Sequence, residues 1–85
     1  MTRFVPRVDE HGNLLQPTPQ EIRAAREHVG DTLARAARRV HLGAHSRWAE
    51  FEREDGSRPI DMARWELYLL LTGQHPRYRV IERDE

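Results

Sequence analysis

Thr32-Leu33-Ala34-Arg35-Ala36-Ala37-Arg38-Arg39-Val40-His41-Leu42-Gly43-Ala44-His45-Ser46-Arg47-Trp48-Ala49-Glu50-Phe51 is the stretch whose reading decides the fold. Leu33, Ala36, Ala37 and Val40 recur at i, i+3, i+4 and i+7, one complete face of a helix, while Arg35, Arg38 and Arg39 occupy the other side. Asp31 or Thr32 stands where a cap is needed. The period breaks around Gly43 and resumes from Ala44 or His45 to Arg53, with Trp48 and Phe51 facing inward. Two short helices across a break of about four residues make a helix-turn-helix outline. Ala36 and Ala37 supply small residues for a close crossing, and Leu42 an apolar plug after the turn.

Working outward, Thr18-Pro19-Gln20-Glu21 carries a capping box with proline at the first helical position. It opens a helix over 18–29 that Gly30 ends. Beyond the central pair, Glu54–Pro59 is a polar loop. Asp61 caps a further helix, Met62 to Thr72, stopped by Gly73. Met62, Trp65, Leu67, Leu69, Leu70 and Leu71 cover most of its circumference, so it needs burial on more than one side. A second copy of the chain is the expected cover, with Trp65, Tyr68, Leu69 and Leu70 at the seam. Tyr78 and Val80 join them if residues 77–81 form a short strand. Residues 1–17 hold no helical period and read as an extended arm or a loose hairpin. The expected organisation is an N-terminal arm (1–17), an all-α domain of four to five helices (18–75) and a C-terminal tail (76–85).

Composition narrows the chemistry. The chain has 85 residues, 38% hydrophobic and 33% charged, with formal net charge +0 and mean hydropathy −0.85. A domain this small buries only about 60% of its unfolded surface, which leaves a lean core. Without cysteine there is no disulfide scaffold, thiolate metal site or thiol nucleophile. The longest apolar run, Leu67 to Leu71, is far short of the roughly 20 residues a membrane helix requires. The first dozen residues lack the apolar stretch of a signal peptide. A soluble, cytoplasmic protein is expected.

All 14 cations are arginine, which GC-rich codon usage explains as readily as phosphate chemistry does. Their placement says more. From Thr18 to Ala49, six arginines face Glu21, Glu27 and Asp31, a net +3. From Glu50 to Glu66, six acids face Arg53, Arg58 and Arg64, a net −3. A basic half beside an acidic half suits an anion-binding face.

Catalysis lacks parts. His41 and His45 are four apart but straddle the predicted turn, and no carboxylate completes a metal set. Glu50 and Glu54 share a helix face without an apolar pocket to separate their pKa values. There is no glycine-rich phosphate loop and no nucleophile turn. No catalytic residue, metal or cofactor is expected. In a helix-turn-helix unit the second helix enters the DNA major groove and the first crosses the backbone. That makes His45, Ser46, Arg47, Glu50 and Arg53 candidates for base or phosphate contact, and Arg35, Arg38 and Arg39 for phosphates.

At Glu21–Glu27, Thr32 with Ala36-Ala37, Trp48–Glu52 and Trp65–Gly73, the chain resembles the Cro/cI-type helix-turn-helix repressors. Small plasmid and phage regulators are the nearest type, with KorC-type and anti-CRISPR-associated repressors both candidate relatives. The resemblance spans residues 18–75. It implies a homodimer on a palindromic DNA operator, with Thr32 among the DNA contacts and no small-molecule effector. Leu33 stands where the family usually has glutamine and His41 where it commonly has a turn glycine. One extra residue lies between Leu42 and Trp48. The alternative is a module of the same fold that binds a protein, as an antitoxin-like adaptor does.

Overall fold

The computed structural model describes residues 3–84. Among them are four helices, not five: α1 (Pro19–His28), α2 (Leu33–Arg39), α3 (His45–Phe51) and α4 (Met62–Leu71). Each start has a local cause. Thr18 Oγ1 accepts from Glu21 N (3.1 Å) while Glu21 Oε1 accepts from Thr18 N (2.8 Å), the reciprocal capping box. Thr32 caps α2 by accepting from Arg35 N (3.1 Å), and Asp61 caps α4 by accepting from Arg64 N (3.1 Å). Only α3, which follows Ala44, has no side-chain cap.

The ends share one closure. After α1, Asp31 N reaches Arg26 O (3.1 Å) and Gly30 N reaches Glu27 O (3.1 Å). After α4, Gln74 N and Gly73 N reach Leu69 O (2.8 Å) and Leu70 O (3.3 Å). After α2, Leu42 N and His41 N reach Ala37 O (2.9 Å) and Arg38 O (3.2 Å). All three are Schellman closures, whose turning residue is left-handed. Two use glycine; the third uses His41, at φ 64°. The break between α2 and α3 therefore pivots on His41, whereas the sequence pattern centred it on Gly43.

The core collects one face of every helix: Ile22 and Ala25 from α1, Ala36 and Ala37 with Val40 from α2, Trp48 from α3, and Trp65, Tyr68 and Leu69 from α4. Ile60, in the loop before α4, joins them. Trp48 sits 4.7 Å from the Tyr68 ring and 5.9 Å from Phe51. The closest helix pair is α2 with α3, and Ala36 and Ala37, both buried, permit that approach.

The N-terminal segment is folded back rather than extended. Val8 and Leu14 form an isolated antiparallel bridge around a turn in which Asp9 accepts from His11 N and Asn13 N. Arg7 forks onto Glu21 (2.6 and 2.8 Å), which pins this loop to the start of α1. Phe4 then lies edge-on to Trp65 at 6.1 Å, and Leu14 also packs against the core. Part of the apolar surplus of α4 is thus covered from within the chain. Trp65, Tyr68 and Leu69, expected at a dimer seam, are at most 1% exposed and have no side-chain surface to offer a second copy. Leu70 is half-buried, and Leu71, Tyr78 and Val80 are exposed. Residues 77–81 form no strand.

Candidate functional site

Most of the residues singled out from sequence lie exposed on α2 and α3 or at their ends, Arg53 just past the close of α3. Thr32, Arg35, Arg38, His45, Ser46, Arg47 and Arg53 are all exposed, and Glu50 is half-buried. Thr32 keeps its hydroxyl on the α2 cap. Arg35 and Arg38 form no ion pair among the described residues, so both guanidinium groups face solvent. Arg47 Nε lies 3.8 Å from Glu50 Oε2, and Arg58 Nε lies 3.7 Å from Glu50 Oε1. These separations are ion pairs too long to be direct hydrogen bonds. Arg53 pairs loosely with Asp55 at 3.6 Å, in the loop after α3. An open groove of about 530 Å³ runs beside Arg47, Glu50, Ser57 and Arg58.

Arg39 does not belong with Arg35 and Arg38. Its guanidinium forks onto Asp31 (Nε to Oδ2 2.7 Å, Nη2 to Oδ1 3.1 Å), where the Tyr68 hydroxyl also donates at 2.8 Å. The Asp31 carboxylate is buried beneath the α1–α2 turn, so Arg39, about a third exposed at 34%, commits its Nε and Nη2 to that carboxylate, unlike Arg35 and Arg38. Burial pushes the Asp31 carboxyl up, but the hydrogen bonds from Arg39 and Tyr68 outweigh it and hold it below its ordinary range. Burial and the same hydrogen bond push the Tyr68 hydroxyl well above the ordinary tyrosine value.

A second buried carboxylate went unread in the sequence. Glu52, at the end of α3, accepts from Arg26 (2.6 and 3.0 Å), from the Trp48 indole N–H (2.6 Å) and, at 3.4 Å, from Arg23. Arg26 also donates to Asp31 O at 3.1 Å, which links the two clusters. Burial raises the Glu52 carboxyl, and the bonds from Arg26 and Trp48 lower it further than burial lifts it. These contacts lock α3 to α1 and fix its rotation. A signal was present: a buried indole needs an acceptor, and Glu52 lies four residues after Trp48 on one helix face.

His41 and His45 do not share a helix, since the first is the left-handed turn residue and the second opens α3. Among the described residues no three His, Cys, Asp or Glu side chains converge as a metal site. None of their helices is long and apolar enough to cross a membrane. Comparison with protein-family models, curated proteins and solved structures finds no match to this chain.

Proposed function

We propose that this chain is a helix-turn-helix protein that binds double-stranded DNA, with α3 as the groove helix, and represses transcription as a homodimer on a palindromic operator. The observation that carries the reading is the α2–turn–α3 unit. Ala36, Ala37 and Trp48 are buried in it, while Arg35, Arg38, His45, Ser46 and Arg47 are each exposed to solvent. Buried Glu52 and Asp31 hold α3 and the start of α2 against the body, as a rigid reading helix requires. In this reading Arg47 reads a guanine edge by its paired donors, and Arg35 and Arg38 grip phosphates. Leu71, Tyr78 and Val80 supply the apolar surface for a second copy.

A protein-binding module is the second reading. The exposed apolar tail, with Tyr78, Val80 and Ile81 each more than half exposed, favours it.

The test is a titration of wild type, Arg47→Ala and Arg38→Ala on the DNA flanking the chain's own gene and on a scrambled duplex. Arg47→Ala is expected to lose affinity for the flanking DNA by roughly tenfold or more, with little change on the scrambled duplex. Arg38→Ala is expected to weaken both alike. No binding to either duplex at low salt would remove the DNA reading and leave the protein-binding one.

A further inference from the structure

Glu50 poses a problem for any polyanion-binding surface, because a carboxylate there repels phosphate. Its side chain is 36% exposed on the outer face of α3, one turn after Arg47. It stands between two guanidinium groups that come from different elements, Arg47 from α3 and Arg58 from the loop that leads to α4. At 3.8 and 3.7 Å both are close enough to orient the carboxylate and too far to saturate its lone pairs. Glu52, two residues later, is by contrast fully occupied by Arg26 and Trp48. The acceptor capacity of Glu50 is left open toward the groove beside Ser57.

Resting on the DNA reading of α3, we infer that Glu50 is a specificity determinant that accepts from the exocyclic amino group of a cytosine, and that Arg58 positions it. Only cytosine N4 and adenine N6 offer donors in the major groove. Adenine places the N7 acceptor beside its amino group, and that lone pair repels a carboxylate. Cytosine instead pairs with a guanine whose O6 and N7 acceptors suit an arginine. Arg47 and Glu50 therefore form a donor–acceptor pair matched to guanine and cytosine edges. The carboxylate also weakens binding to sequences that offer it no donor, which is discrimination by repulsion.

The experiment is selection from a pool of randomised duplexes with wild type, Glu50→Gln, Arg58→Ala and the double variant, followed by titration on single-base variants of the selected site. Wild type is expected to require cytosine at one position in each half-site. Glu50→Gln, half-buried, free of direct hydrogen bonds and nearly isosteric, should fold normally and lose about tenfold discrimination there. It should shift toward adenine, whose N6 and N7 suit an amide, and bind scrambled duplex more tightly. Arg58→Ala should blur the same position in the wild-type background and add nothing in the Glu50→Gln background. An unchanged motif with Glu50→Gln overturns the inference while the DNA reading stands. Equal loss on every sequence with Arg58→Ala, in both backgrounds, overturns the role of Arg58. Failure of wild type to bind any duplex overturns both the inference and the reading beneath it.

Discussion

His41 holds the only positive φ (64°) of any non-glycine residue among those described, at the pivot between α2 and α3. The left-handed region crowds a Cβ against the carbonyl oxygen and costs an L-residue about 1–2 kcal/mol. The imidazole is exposed, so little packing offsets that cost. His41→Gly is therefore expected to stabilise the chain by about 0.5–1 kcal/mol, after the added flexibility of the unfolded glycine is subtracted. Chemical denaturation of the two proteins with equal slopes measures it. Destabilisation would mean that the His41 ring makes a contact that matters more than the backbone strain. His75 works in the opposite sense, by contacts alone. Its side chain is 2% exposed, with Nδ1 accepting from Arg77 N and Tyr78 N (both 3.1 Å) and Nε2 lying 2.8 Å from Glu66 Oε2. The two amides place the ring proton on Nε2, where it donates to Glu66. His75→Ala should free the start of the tail, seen as faster tryptic cleavage after Arg77 with the melting of the helices little changed.

At the scale of elements, α3 is held by its buried carboxylate as much as by its tryptophan. Removing one partner of a buried ion pair costs about 3–5 kcal/mol because the other charge stays buried. Glu52→Ala strands Arg26 and the Trp48 indole, so it should lower the melting temperature by more than 10 °C, at roughly 4–8 °C per kcal/mol for a domain of this size. Arg35→Ala, on the open face of α2, should change it by little. The pH dependence follows from the direction of the shifts. Asp31 and Glu52 are both held below their ordinary values in the folded chain. Their stabilisation is thus complete above the ordinary carboxylate values of 3.8 and 4.5, and is lost as pH falls through them toward the folded values. Thermal melts from pH 7 to pH 2 should show that loss, with a shallower decline for Glu52→Gln. The contrast between elements also explains what sequence alone revealed. The capping box at Thr18, the caps at Thr32 and Asp61, and the stops at Gly30 and Gly73 are local devices, legible at spacings of one turn. The Arg26–Glu52 and Asp31–Tyr68 contacts join residues 26 and 37 positions apart, and no periodicity encodes such pairings. Phe4 was hidden for the same reason: α4 announces an apolar surplus, but not whether a second copy or the chain's own N-terminal segment covers it.

For the whole molecule, the pairing of arginines limits how strongly the proposed DNA binding can depend on salt. Formal charge is balanced, and Arg7, Arg26, Arg39 and Arg64 are hydrogen-bonded to carboxylates. On α2 and α3, the proposed reading leaves Arg35 and Arg38 for phosphates and Arg47 for a base. Each phosphate neutralised contributes about −0.9 to the slope of log K against log salt. Two contacts per protomer predict a slope near −2 for a monomer and about −3 to −4 for a dimer. The proposed dimer would use the apolar surface left open by one chain, where Leu71 is 42% exposed, Tyr78 58% and Val80 59%. Sedimentation at micromolar concentration should therefore show a dimer, and Leu71→Glu or Val80→Glu should dissociate it without unfolding, since neither residue is in the core. The salt slope of either variant should then fall to about half that of wild type. Tyr68→Glu is the control for the buried face and should unfold the chain outright. A wild-type slope near −8 would mean that binding opens internal ion pairs and recruits their arginines. A dimer whose slope the Leu71 and Val80 variants leave unchanged would place the interface elsewhere on the molecule.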